Sequence, residues 1–250
     1  MALDEAGAGR LRRTWIQDGL GELHCWIDHA ESKANFILAE SRKGRIRYIE
    51  TAELLFAITA VINRLAQIDL RTETNLSIDK TLTPWISQQT DWPPLVAKAF
   101  WHCIRNPVMH MGRTSGFTGY DVKTDDGLPI LASVQEYLKR DYPTDMGAEF
   151  PPGPQAVYST GPGWYALYSP ELGPAPYDDW SGESIDLTFY VFELFEIVRS
   201  VIYAVAVRLR DASTEDLERL TKLQRRLPFI TCSTLDPRLD VWTSSPGESA

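Results

Sequence analysis

An arginine and a histidine stand five positions apart in the stretch Ala99-Phe-Trp-His-Cys-Ile-Arg105-Asn106-Pro107-Val-Met-His110-Met-Gly112. Arginine is a permanent cation whose planar fork of donors grips phosphate. Histidine gives or takes a proton near neutral pH. Together they form a minimal kit for cutting a phosphodiester without a metal. The bare spacing arises easily by chance in an arginine-rich chain, so its context carries the reading. Asn106 is a good helix N-cap, and Pro107 then falls at the first helical position, where a missing N–H costs nothing. The pattern predicts a break at Arg105-Asn106 and a restart whose free N–H groups and positive dipole end favour a bound phosphate. On an unbroken helix Arg105 and His110 would point about 140° apart, so the Asn-Pro step is part of the argument.

The motif resembles the HEPN superfamily, whose hallmark is R-x(4–6)-H with a polar residue after the arginine; Arg105, Asn106 and His110 match it. The resemblance covers the motif and the helices around it. It implies a metal-independent endoribonuclease, a toxin or defence effector, in which His110 is general acid or base, Arg105 stabilises charge and Asn106 positions substrate. It also implies a homodimer with the two motifs face to face, RNA as substrate, and an antitoxin or regulatory protein as a further partner. Gly112 departs from one toxin branch, which carries there a tyrosine that a nucleotidyltransferase antitoxin modifies. The other reading is a catalytically inactive HEPN-like module that binds RNA, nucleotide or a protein.

The candidate substrate contacts are His102, Arg113, Arg45 and Arg47. His102 is read as a partly buried helix histidine that can line the Arg105 pocket. The basic runs Arg10–Arg13 and Arg42–Arg47 could contact RNA phosphates, but solvated helix ends are the favoured reading. His24 and His29 are five apart, the wrong step for one helix face, and no Cys, Asp or Glu completes a ligand set. No metal site and no cofactor is therefore predicted. Phosphate-cradling glycine loops of the P-loop and dinucleotide types are absent, as is a G-x-S-x-G elbow. For the stripe Glu193, Glu196 and Arg199, helical i,i+3 spacing predicts an internal ion pair.

Positioning such residues takes helices. Apolar residues at near-helical spacing predict one over about 11–40, including Trp15, Ile16, Leu20, Leu23, Trp26 and Ile27, with Gly19 and Gly21 weakening its start. A second is predicted over about 46–68. The polar stretch 69–92 follows, with Trp85 as anchor. A third helix begins near Pro93-Pro94 and reaches Arg105. The segment 115–184 is rich in Gly, Pro, Asp and Tyr. Asp126-Gly127 and Thr160-Gly-Pro-Gly163 predict two hairpin turns there. Helix resumes over about 185–210, and Ser213-Thr-Glu-Asp216 caps a short helix to Arg226. The expected architecture is mainly α: residues 1–250 form one HEPN-like four-helix bundle, with a β-containing insertion at 115–184 between its third and fourth main helices and a loose tail at 236–250.

A hydrophobic fraction of 44% and a charged fraction of 24% are ordinary for a water-soluble domain. The net charge of −9 argues against broad coating of DNA but leaves room for a local basic groove. Three cysteines without a C-x-x-C pair fit a reducing, cytoplasmic setting. The N-terminus has no apolar signal core. Leu187–Val207 carries Glu193, Glu196 and Arg199 near its centre, so a buried helix is expected in place of a membrane span.

Overall fold

A computed structural model describes residues 5–41, 48–72, 76–105, 117–125, 127–135, 157–169 and 184–226. The described chain is mainly helical, with one five-stranded sheet. Helix α1 (Glu5–Thr14) passes through a π-helical stretch, Trp15–Leu20, into α2 (Gly21–Ser41). A π turn accommodates one extra residue per turn, and here it spans Gly19 just before Gly21. Trp15, Ile16, Leu20, Leu23 and Ile27 enter the core as their spacing predicts, whereas Trp26 stays exposed. Helix α3 (Tyr48–Asp69) turns back beside α2, burying Leu54, Leu55, Ile58 and Leu65. Lys33 and Glu53 pair across the two helices.

The polar stretch after α3 holds more structure than its composition suggests. A π-helical stretch, Ile78–Leu82, leads into α4 (Thr83–Thr90), which ends at Asp91 in the left-handed region. Trp85 is the predicted anchor: it is buried, and its Nε1 donates to Asp69 Oδ2 at 2.8 Å. Helix α5 (Pro94–Ala99) starts with proline in its first turn and continues as the π-helical stretch Phe100–Arg105.

The sheet runs in the order β1-β2-β5-β4-β3, with β1 (Phe117–Lys123), β2 (Pro129–Gln135), β3 (Val157–Gly161), β4 (Trp164–Ser169) and β5 (Ser184–Tyr190). Strands β1 and β2 form one antiparallel hairpin and β3 and β4 the other, with Gly127 and Gly163 at positive φ in the two turns. Strand β5 joins them, parallel to β2 and antiparallel to β4. The helix expected from residue 185 therefore starts later. Residues 184–190 are the central strand, and α6 (Val191–Arg210) follows without a connecting turn. No helix among the described residues is long and apolar enough to cross a membrane.

Helix α6 is buried around most of its circumference and packs on α2, α3 and α4. Helix α7 (Thr214–Arg226) is capped as its sequence predicts. The Ser213 hydroxyl accepts from the Asp216 N–H at 3.2 Å and donates to the Asp216 carboxylate at 3.0 Å. Sheet and helices share one apolar core. Trp92, Phe100 and Phe189 meet within it at ring distances of 5.1–5.5 Å, fixing the stretch that carries Arg105 against the central strand.

Candidate functional site

Phe100, Trp101, Cys103 and Ile104 are all buried, and His102 and Arg105 are the partly exposed residues of this stretch. The turn packs on β1 and β2 and on α3, so the two polar side chains emerge from a rigid support. The Arg105 guanidinium carbon lies 5.2 Å from the centre of the Trp101 ring, a cation–π contact that holds the side chain along the turn. Burial pushes the Arg105 pKa down from its ordinary value, yet guanidinium remains a cation at any physiological pH. Trp101 Nε1 is buried and meets no acceptor among the described residues.

His102 has a definite partner. Its Nε2 lies 3.1 Å from Oδ1 of Asp79, on the π-helical stretch that precedes α4. Asp79 is exposed and His102 is partly so. Two of the sequence-predicted site residues, a cation and an imidazole, thus stand on one short stretch, and the imidazole meets a carboxylate that local sequence could not reveal. Asp79 is 23 positions from His102 and stands in no motif with it. Asn106, His110, Arg113, Arg45 and Arg47 lie outside the described residues, as do Pro107 and the tail 236–250.

A second polar cluster lies between α2 and α6. His24 is fully buried, with Nδ1 3.2 Å from Asp28 Oδ2 and Nε2 3.3 Å from the Tyr203 hydroxyl. Arg199, 8% exposed, donates to Asp28 Oδ1 at 2.8 Å and to Glu196 Oε1 at 2.7 Å, and pairs with Glu31. Burial opposes the Arg199 charge, but the hydrogen bonds to Glu31 and Asp28 outweigh it and raise the pKa above its ordinary value. The Glu196–Arg199 pair expected from i,i+3 spacing is thus present and extends to α2. The cluster binds two helices together, and its buried charge is matched by carboxylates on both. The signal for it was available in part, since His24 and Asp28 are one helical turn apart.

Glu193, the other member of the predicted stripe, serves the sheet instead. Its Oε2 accepts from the Gly163 N–H at 2.7 Å and ties the β3–β4 turn to the first turn of α6. Among the described residues, no three or more His, Cys, Asp or Glu side chains gather as a metal would require. Comparison of the chain with protein-family models, with curated proteins and with solved structures finds no match.

Proposed function

We propose that the protein is a metal-independent endoribonuclease of the HEPN type, with Arg105 and His110 as its working pair. The observation that supports this reading most is the placement of Arg105. It is the partly exposed last residue of the Phe100–Arg105 stretch, braced on Trp101, and Asn106-Pro107 follows it in the sequence. A cation so placed suits the phosphate of a polynucleotide and the charge that builds on phosphorus during cleavage. In the mechanism the ribose 2′-hydroxyl attacks the adjacent phosphorus while an imidazole takes its proton. The bond to the 5′-oxygen breaks, and that oxygen receives a proton. The products are a 2′,3′-cyclic phosphate and a 5′-hydroxyl. His110 moves a proton in this scheme, with an unperturbed pKa of about 6.5 suited to the role. Asn106 orients substrate or caps the turn after it.

One property favours the non-catalytic reading, in which the same surface binds RNA or a protein: the net charge of −9, which weakens attraction to any polyanion. Incubation with labelled RNA in excess EDTA separates the two. Cleavage should persist, leave 2′,3′-cyclic phosphate ends and spare DNA, which has no 2′-hydroxyl. Binding without cleavage would establish the second reading, and strict dependence on a divalent cation would require another mechanism.

A further inference from the structure

We propose that the outer face of the α2–α3 pair seats a second copy of this chain, with α2 of each copy lying over α3 of the other. The proposal does not depend on the ribonuclease reading. It also uses other elements than the motif-to-motif dimer that the resemblance implies, since neither helix carries Arg105. Trp26, Phe36 and Phe56 are three of the four large apolar side chains that stay exposed among the described residues. Helical geometry gathers them. Trp26, Lys33 and Phe36 lie within about 80° of arc on α2, and Phe56 lies about 60° from Glu53 on α3. Lys33 pairs with Glu53, so the two stripes border one seam. A second contact fixes how the helices run. Burial lowers the Arg64 pKa, and the Glu22 carboxylate is close enough to oppose that shift. Glu22 is eleven residues before Lys33, and Arg64 is eleven after Glu53. The helices are therefore antiparallel, and Trp26, seven before Lys33, is level with Ala60, seven after Glu53.

The occupant follows from charge. A net charge of −9 makes two copies repel each other, so they can meet only where the surface is balanced. This face is balanced between the levels of Glu22 and Lys33. Asp28 and Glu31 bind Arg199. The charges left on the two helices there are Glu22, Lys33, Glu53 and Arg64, two of each sign. Two identical faces stack about a two-fold axis in two simple ways. With the axis across the helices, Lys33 meets the partner's Lys33 and Glu53 meets the partner's Glu53. With the axis along the helices, Lys33 meets the partner's Glu53 and Glu22 meets the partner's Arg64. The Trp26 indole then lies over the partner's Ala60, a large side chain over a small one. Only this second stacking matches opposite charges, and it turns the exposed aromatic side chains into anchors between copies.

Sedimentation velocity of the full chain over a range of concentrations is the test. The wild-type chain should dimerise reversibly. Lys33→Glu and Glu53→Lys chains should each dimerise about tenfold more weakly, because symmetry sets every exchanged charge against its like twice per dimer. Mixed together, the two chains should form a heterodimer of about wild-type strength, since opposite charges then face each other at both contacts. Trp26→Ala should weaken the dimer by about tenfold or more. Phe36→Ser, at the most exposed of the three aromatic positions, carries the apolar arm if the Trp26→Ala chain melts early. A wild-type chain that stays monomeric would leave this face to a different partner and overturn the proposal. So would dimers that keep their strength in both charge-exchanged chains. A mixed dimer much tighter than the wild-type one would mean that like charges face each other in the wild type, and would overturn the stacking of α2 over α3.

Discussion

At the scale of single residues, the site depends on groups with unequal roles. On the ribonuclease reading, His110→Ala should lower RNA cleavage by about two to four orders of magnitude with little change in thermal stability, as expected for loss of an acid–base group. Arg105→Ala should lower the rate and also weaken RNA binding, read as a rise in Kd with a shallower salt dependence. An early-melting Arg105→Ala chain would instead mark the Trp101 contact as structural. What the sequence makes legible here is chemistry carried by neighbours along the chain: Arg105, His102 and the Glu196–Arg199 pair all follow from spacing. What it hides is chemistry assembled across distance. Asp79 reaches His102, Asp28 reaches Arg199 and Glu193 reaches Gly163 only because separate elements pack together. No periodicity encodes those meetings.

At the scale of elements, helices and hairpin turns follow from the sequence, and the central strand does not. Helix α3 obeys its apolar spacing, the helix from Pro94 reaches Arg105, and both glycine turns join antiparallel strands. Strand β5 reads as the start of a helix because six of its seven residues are buried and no polar face alternates along it. The exception is Asp186, partly buried, whose side chain accepts from Ser184 at 3.2 Å. Burial raises its pKa above the ordinary 3.8, and the Ser184 hydrogen bond offsets only part of that. A raised carboxyl pKa favours the folded state below the unfolded value and loses that advantage as pH rises through the folded one. Asp186→Asn should therefore raise Tm at pH 7 and leave it almost unchanged below pH 3.8, which paired melting curves would measure. Gly163 gives a second test. Its φ is +73°, and an added Cβ would lie 2.6 Å from Ile197 Cδ1. Gly163→Ala should destabilise by about 1–3 kcal/mol in urea unfolding, from strain and overpacking together.

At the scale of the whole molecule, Asp69 is a junction. It ends α3, accepts from Arg208 of α6 at 2.8 and 3.0 Å and from Trp85 of α4 at 2.8 Å, and pairs with Arg71. Asp69→Ala should cost about 1–3 kcal/mol, less than a fully buried pair because Arg208 can turn to water. In a chain of this size that would lower Tm by several degrees, at about 2–4 °C per kcal/mol. Helix α6 has a different consequence. It lies against α2, α3 and α4, follows directly from the central strand, and belongs to the last quarter of the sequence. Arg12 near the start then donates to the Ala212 carbonyl at 2.9 Å. During synthesis, the faces of α2, α3 and α4 that α6 covers leave the ribosome without it, and they stay uncovered until residues 191–210 emerge. At about 5–20 residues per second, the wait from the end of α3 is several seconds or longer. A nascent chain stalled at Tyr190 should be protease-sensitive and chaperone-bound, and one released beyond Arg226 should not. The stretch that carries Arg105 waits in the same way, because Phe100 gains its ring contact with Phe189 only once residues 184–190 have been made.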